Sequence, residues 1–527
     1  MRTLYRNARI YSPANPYATA LVVEDGVITW LGQDDGIDQF SGVRVVDARD
    51  GLIAPAFVDA HMHATGIGLA LTGLDLSSAA SLGEALERVE NAARSGRGRP
   101  ILGSGWDETT WPERRPPTAA ELDRASYGGA VYLSRVDAHS AVVSSALTAS
   151  VPGLTALAGY RPDGWLVSPA HDEVRRAALG ALTASQIREV QRVALRRAAS
   201  LGIACVHEMA GPAISSAEDL LGLLALAAEE PLPEVIGYWG ELFGIDTARE
   251  LGAAGAGGDL FCDGSIGSHT AAMHAPYADA PDETGRLQYE TAELAEHIVR
   301  CIEAGLQTGF HAIGDAAIDQ VLDAYEQVTA RLGRTAGAGH RLEHAEFIRD
   351  PRRFAASGLM ASMQPSFDAL WGGASGMYAT RLGAERAVGL NRFADLASAG
   401  VPLAFGSDAP VTPLGPWAAV RAAAYPHDPA AAISPRAAFA AHTRGGWRIA
   451  RRDGEGVLAP GAPATFAIWQ AGETAVDAPD ERIQRWSTDP GANVPGLPDL
   501  SPAAELPTCL ATVRNGQVIY DADLHGG

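Results

Sequence analysis

Between residues 52 and 410, eight short apolar runs alternate with helical stretches, and most of the runs end in polar residues. They are LIAPAFVDAH, GIACVHE, EVIGYWG, DLFCDG, LQTGFHAIG, HRLEHAE, LMASMQP and VPLAFGSDAP. Strand-like runs separated by helices predict repeated βα units and a parallel sheet. Eight such strands are the number that closes a TIM-like (β/α)8 barrel. Two further runs, RPILGSGWD and AVYLSRVDAH, fall in the long stretch between the first and second of the eight. That stretch reads as an insertion beside the barrel mouth, over about 67–199.

The chain ends have a different grammar. TLYRNARIYS and ALVVEDGVITWLG near the start, and TCLATVRNGQVIYDA near the end, are apolar runs joined by turns. Asp25-Gly26 and Asn515-Gly516 each fit a two-residue hairpin turn. GVLAPGAPATFAIWQ supplies another strand. Residues 1–55 and 455–527 are therefore expected to build one small β-sandwich domain framing a barrel over 56–454.

Polar residues gather at one end of the barrel strands. His61 and His63 end the first strand, and His207 and Glu208 the second; Asp259 and Asp263 bound the fourth. His311 ends the fifth strand, His344 the sixth and Asp408 the eighth. In such barrels chemistry sits at the C-terminal ends of the strands, so these side chains converge on one mouth. Residues i and i+2 of a strand face the same side, so both imidazoles of His61-Met62-His63 can reach one ion. An H-x-H pair alone is weak, and a strand-terminal aspartate alone more often caps a helix. Four histidines and an aspartate at one end of separate strands are far more specific. Imidazole with carboxylate suits a borderline divalent ion, Zn²⁺ first, with Mn²⁺ or iron as alternatives.

Charge and composition exclude other classes. The formal charge of −22 disfavours nucleic acid or an anionic membrane as partner. No apolar run is long enough to span a membrane, and the N-terminus lacks the apolar stretch of an export signal. The four cysteines are scattered, so a reduced cytoplasmic protein is expected. The expected partner is a small-molecule substrate, and a homo-oligomer is compatible with this composition. All 41 basic residues are arginine, so no site here can use a lysine amine.

PAFVDAHMHATGIG, GSGWDETTWPE, LSRVDAHSAVVSSAL, DGSIGSHTAAMHAPYAD, HAIGDAAID, RLEHAEFI, ASMQPSF and PLAFGSDAPV occur in order across nearly the whole chain. Together they resemble the amidohydrolase superfamily (amidohydrolase family 3), in the branch that includes N-substituted formamide deformylases. The resemblance implies hydrolysis of a carbon–nitrogen bond other than a peptide bond. It implies that His61, His63, His311, His344 and Asp408 hold one or two divalent ions. It also implies that Asp408 takes a proton from the attacking water and passes it to the departing nitrogen. His344 or His139 would help hold the developing oxyanion. A divalent ion lowers the pKa of its water to roughly 7, which agrees with this chemistry. Relatives carry a metal-bridging carboxylated lysine four residues before the strand-four Asp-Gly. Here that place is Asp259, a carboxylate on a much shorter arm. A single tightly held ion is the expectation, and a second ion drawn to Asp259 is the alternative.

Other residues carry less. Trp106 and Trp111 either wall the mouth or pack in a core; read as a wall, with few obvious cationic clamps, they suggest a small, partly apolar substrate. Asp315 either orients a ligand or starts a helix. His269, His274 and His442 read as structural or exposed. Two rival functions stand. A single-metal deaminase would place a glutamate three residues after the strand-five histidine, where this chain has Gly314. A metal-holding protein without turnover is the other. A serine hydrolase is disfavoured because no G-x-S-x-G occurs.

Overall fold

The apolar run that begins at Leu52 serves two sheets. Its first residues end the strand Arg44–Pro55 of a seven-stranded sheet, and Phe57–Met62 is the first strand of an eight-stranded one. The chain is seen in a computed structural model that describes residues 2–96, 100–167, 169–180, 182–333, 335–472, 474–475 and 496–524.

The eight-stranded sheet is the barrel. Phe57–Met62, Ile203–Ala210, Glu234–Trp239, Gly255–Ala256, Gln307–Ala312, Arg341–His344, Met360–Met363 and Leu403–Phe405 lie side by side in chain order. Neighbours pair in parallel, and a parallel bridge from Met62 to Ala409 joins the last strand to the first. Every residue of Phe57–Met62 and Ile203–Ala210 is buried, as parallel strands sheathed by helices require.

The fourth strand departs from the sequence expectation. Only Gly255–Ala256 pairs regularly, and DLFCDG follows it as an irregular segment. Gly255 pairs with Gln307 and Ala256 with Thr308, whereas Phe261 pairs with His311. Over that span the fourth strand carries two more residues than the fifth, which is a bulge. Gly257 and Gly258, at φ +157° and +86°, form it.

Between the first and second barrel strands lies a separate five-stranded sheet. RPILGSGWD and AVYLSRVDAH supply two of its inner strands, Ile101–Trp106 and Val131–Arg135, paired in parallel. The helix Ala184–Ala199 returns the chain to the barrel beside Ala64–Thr72, where Gln191 Nε2 donates to Thr65 Oγ1 at 3.1 Å.

The seven-stranded sheet draws on both ends of the chain. Arg2–Ile10, Ala20–Glu24, Val27–Gly32 and Arg44–Pro55 join Phe466–Gln470, Thr508–Arg514 and Gln517–Asp521. Both expected hairpin turns form with positive φ at each central residue: Asp25 and Gly26, Asn515 and Gly516. The sheet reaches the barrel through Trp469, whose ring lies edge-on to Phe57 with centroids 5.7 Å apart. This contact is at the N-terminal end of the barrel strands, the end that serves stability.

Candidate metal centre

Four imidazoles and two carboxylates meet at the C-terminal mouth of the barrel, all buried. The peptide chain fixes which nitrogen of each ring is free. His61 Nδ1 faces Glu343 Oε2 at 2.9 Å, and His63 Nδ1 faces the Met209 carbonyl at 2.9 Å. His344 Nδ1 faces Gln364 Oε1 at 2.9 Å, and His311 Nε2 faces the Gly264 carbonyl at 3.3 Å. Each partner is an acceptor, so each of these nitrogens carries the hydrogen and the opposite nitrogen keeps its lone pair. The four lone pairs point inward, at Asp259 and Asp408.

Asp259 sits between them. Its Oδ2 is 3.3 Å from His61 Nε2 and 3.3 Å from His63 Nε2. Its Oδ1 is 3.5 Å from His311 Nδ1 and 3.4 Å from His344 Nε2. Asp408 Oδ1 lies 3.5 Å from His61 Nε2 and 3.1 Å from His63 Nε2. Most of these approaches lack hydrogen-bond alignment: His61 Nε2, Asp259 Oδ1, His311 Nδ1 and His344 Nε2 are buried without a hydrogen-bond partner. A buried polar atom left unpaired costs roughly 1–3 kcal/mol, and four around one point need a common partner. Two ligands bound at ~2.1 Å to a tetrahedral ion stand about 3.4 Å apart, the separation seen here. The residues therefore fit a divalent metal. Three sets meet the spacing for an ion: His61–His63–Asp259, His61–His344–Asp408 and Asp259–His311–His344.

The electrostatics agree. With no ion bound, burial works against a charged His63, but Asp259 and Asp408 overcome it and hold the ring up to about 9, so at neutral pH a proton sits on the nitrogen that a metal ion would take. Burial raises the carboxyls, but His61 and its neighbours outweigh it and keep Asp259 and Asp408 below the usual carboxylate range. Both carboxylates stay ionised, and the pocket between them suits a cation. His344 and Asp408 also adopt left-handed backbone, φ +67° and +54°, a cost tolerated where surrounding structure fixes a functional side chain.

The centre opens on a cavity of about 540 Å³. His63, Asp259, His311, His344 and Asp408 reach its floor, and His139 and Tyr132 of the insertion stand on its wall. The His139 ring lies 5.2 Å from that of His311, centroid to centroid, and burial lowers its pKa, so it stays neutral at pH 7. Arg175 and Arg286 also line the cavity. Trp106 and Trp111 do not. They are buried in the insertion's own core and donate to the carbonyls of Leu133 and Ala79, which overturns a tryptophan-walled mouth.

The remaining sequence candidates fall outside the centre. His207 Nδ1 meets Arg341 at 3.0 Å, and burial with that guanidinium drives its pKa well down. Glu208 accepts from the Ala64 amide at 2.7 Å. Asp315 accepts from the His274 amide at 2.9 Å and opens the helix Asp315–Leu332. His269 and His274 pair with Asp279 and Asp319, and His442 Nδ1 bonds the Val58 carbonyl at 3.0 Å. Sequence reasoning missed Glu343 and Gln364, the residues that orient His61 and His344. Arg341 and Glu343 were the available signal: opposite charges at i and i+2 of a core strand face one side and pair there.

A parallel eight-stranded barrel with a histidine–aspartate cluster at its C-terminal mouth defines a metal-dependent hydrolase class. The chain belongs to the amidohydrolase family, whose sequence profile matches residues 44–520. It is 28% identical over 498 residues to Protein LONG AFTER FAR-RED 3 of Arabidopsis thaliana, covering 86% of this chain and 84% of that protein. It is 24% identical to the N-substituted formamide deformylase of Arthrobacter pascens, over 79% of this chain and 82% of that one. The crystal structure of an uncharacterized metal-dependent hydrolase from Pyrococcus furiosus superposes with a TM-score of 0.70 at 29% identity. It covers 89% of this chain and 98% of that one. No described helix is long and apolar enough to cross a membrane.

Proposed function

We propose that this protein hydrolyses a non-peptide carbon–nitrogen bond, of the amide type, in a small molecule. The observation that carries the reading is the set of unpartnered ligand atoms of Asp259, His311 and His344 on the floor of the 540 Å³ cavity, with His61 Nε2 3.3 Å from Asp259 Oδ2. His61, His63, His311, His344, Asp259 and Asp408 would hold the metal, most simply Zn²⁺. When bound, such an ion acidifies water to a pKa of about 7 and polarises a carbonyl oxygen. Asp408 accepts the proton of the attacking water and delivers it to the departing nitrogen as the C–N bond breaks, leaving a carboxylate and an amine. His139, neutral and beside His311, donates to the developing oxyanion.

The deaminase alternative needs a proton-carrying glutamate where this chain has Gly314. A β-carbon there would lie 2.0 Å from the Ala272 carbonyl oxygen, so no side chain fits without moving backbone. Four buried cysteines without disulfide partners suit a reducing, cytoplasmic setting.

The test is turnover by Zn²⁺- or Mn²⁺-loaded protein on N-substituted formamides, acyl amides and cyclic amides. Amide cleavage that drops by at least ~10²-fold in Asp408→Asn is expected. Cleavage unchanged in that variant refutes the proton route. Ammonia released from aminated heterocycles with no amide cleaved assigns a deaminase instead, and no turnover of any kind favours a metal-holding protein.

A further inference from the structure

We infer that the substrate is a primary amide, whose departing nitrogen enters a small acidic cavity beside the metal centre while the 540 Å³ cavity holds the rest of the molecule. This rests on the hydrolase reading above and names the substrate class of that same site.

A second cavity, of about 30 Å³, adjoins the first. The two share Asp137, His139, His311, Asp408 and Val411 in their walls, so they meet at the centre, where the reacting bond lies. A water needs roughly 10–15 Å³ of such space, so the small cavity admits an amino or methylamino group and no longer chain. Cleavage at this junction divides the substrate into a very small half and a large one.

The walls decide which half is small. His344 and Ala345 adopt left-handed backbone, φ +67° and +50°, and this turn at the end of the sixth barrel strand brings Glu346 to the small cavity. Glu346 is 3% exposed. Its carboxylate accepts the Tyr378 hydroxyl, and among the described residues no arginine or histidine side chain lies within 4.0 Å of it. The other acid beside Asp408, Asp137, is already paired with Arg135 at 3.0 Å. A buried carboxylate without a counter-charge, next to space for one small group, favours a cation there and repels an anion.

The remaining wall is aromatic. Phe367 stacks on His344 with centroids 6.0 Å apart, Trp371 lies 4.9 Å from Phe367, and Tyr378 lies 6.2 Å from Trp371. Ring faces beside a carboxylate suit an ammonium ion. A formate or other carboxylate product would meet Glu346 and Asp408 with like charge, so the small half is the nitrogen. Asp408 lines both cavities, as the residue that carries the proton to nitrogen must. The reaction balances: R–CO–NH2 and water give R–COO⁻ and NH4⁺. The water oxygen stays on carbon, both of its hydrogens end on nitrogen, and the C–N electron pair leaves with nitrogen.

The experiment compares acetyl, phenylacetyl and glutaryl groups, each as its primary, N-methyl and N-butyl amide, together with N-butylformamide, on full-length Zn²⁺-loaded protein. Within each acyl group kcat/KM is expected to fall by about 10²-fold from the primary to the N-butyl amide. Met377→Ala widens the small cavity and should narrow that ratio by about tenfold. A second readout needs no turnover: methylammonium chloride should raise the melting temperature above that in equimolar sodium chloride, butylammonium should not, and Glu346→Gln should abolish the shift. Circular dichroism identifies any variant that fails to fold. N-Butyl amides or N-butylformamide cleaved as fast as primary amides overturn the assignment of the small half and leave the hydrolase reading standing. The same methylammonium shift in folded Glu346→Gln overturns the role of Glu346. No amide cleaved at all refutes the hydrolase reading and this inference with it.

Discussion

Glu343 Oε2 accepts the Nδ1 hydrogen of His61 at 2.9 Å, and Arg341 grips the same carboxylate through Nε and Nη2. Burial would raise the Glu343 pKa, but Arg341 and His61 reverse this and lower it to about 2, so it is ionised whenever the protein is folded. A carboxylate behind a ligating histidine fixes the tautomer and raises the basicity of the far nitrogen. Glu343→Gln keeps the shape and removes the charge. Metal affinity should fall by roughly 10- to 100-fold, read by chelator competition. The variant should also melt lower, because the Arg341 guanidinium, also bonded to Ser362 and the Ala60 carbonyl, loses its buried counter-charge. Unchanged affinity would show that Glu343 only packs.

His139 supplies a sharper separation of binding from chemistry. It stands on the cavity wall and belongs to none of the ligand sets. His139→Asn should lower kcat by about 10²-fold, with KM changed little and metal content unchanged. Loss of metal in that variant would place His139 in the metal centre instead.

Much of this was legible in the sequence, for a physical reason. Strand ends of a parallel barrel must converge, so residues as distant as His61 and Asp408 could be brought together from spacing alone. The fourth strand was misplaced because DLFCDG is apolar enough to read as a strand, while the pairing residues Gly255 and Ala256 carry almost no signal. The position of Asp259 was also illegible, since it depends on a two-glycine bulge just before it. Trp106 and Trp111 stayed open between wall and core because a tryptophan's presence does not reveal which way it faces; both serve the insertion's core.

Arg175 and Arg286 alter the expected substrate. Both line the cavity above the metal centre, and neither meets a described carboxylate within 4.0 Å. A guanidinium there suits a carboxylate carried away from the scissile bond. Amides bearing such a group should be preferred, and Arg175→Gln or Arg286→Gln should raise their KM by roughly tenfold, a charge-assisted contact of ~1.4 kcal/mol. Uncharged amides should be unaffected. Equal loss on both substrate types would mean that the arginines shape the wall without reading charge.

Acid should destabilise the protein through histidines far from the metal. His297 is fully buried: its Nδ1 accepts from the Phe243 amide at 3.0 Å, and its Nε2 donates to the Ala256 carbonyl at 3.1 Å. Burial lowers its pKa from 6.5 to about 4, with Arg300 adding to the effect against the Ala256 bond. The folded pKa is depressed, so the unfolded chain takes the proton first. The ring's contribution is complete above pH 6.5 and is lost as pH falls toward about 4, up to about 3 kcal/mol. Melting temperatures of wild type and His297→Asn should therefore converge as pH falls from 7.5 to 4.5. A constant gap across that range would rule the linkage out.

Gly314 joins fold and function most directly. It caps the helix Asp315–Leu332, three residues after His311, and its amide donates to Asp263 Oδ2 at 2.8 Å. That carboxylate also accepts from the Ala272 amide at 2.9 Å, so the segment after strand four is tied to the end of strand five. Its φ of −72° is ordinary, and the constraint is purely steric: a β-carbon would sit 2.0 Å from the Ala272 oxygen and 2.8 Å from its nitrogen. Gly314→Ala must push these backbones apart, which costs ~1–3 kcal/mol or more. Because the displaced segment leads back to Asp259 and the displaced helix to His311, metal should be lost along with stability. The expected result is a lower melting temperature together with a lower metal content. Wild-type melting and metal content in Gly314→Ala would show that the mouth yields easily, and would reopen this position to the glutamate a deaminase requires.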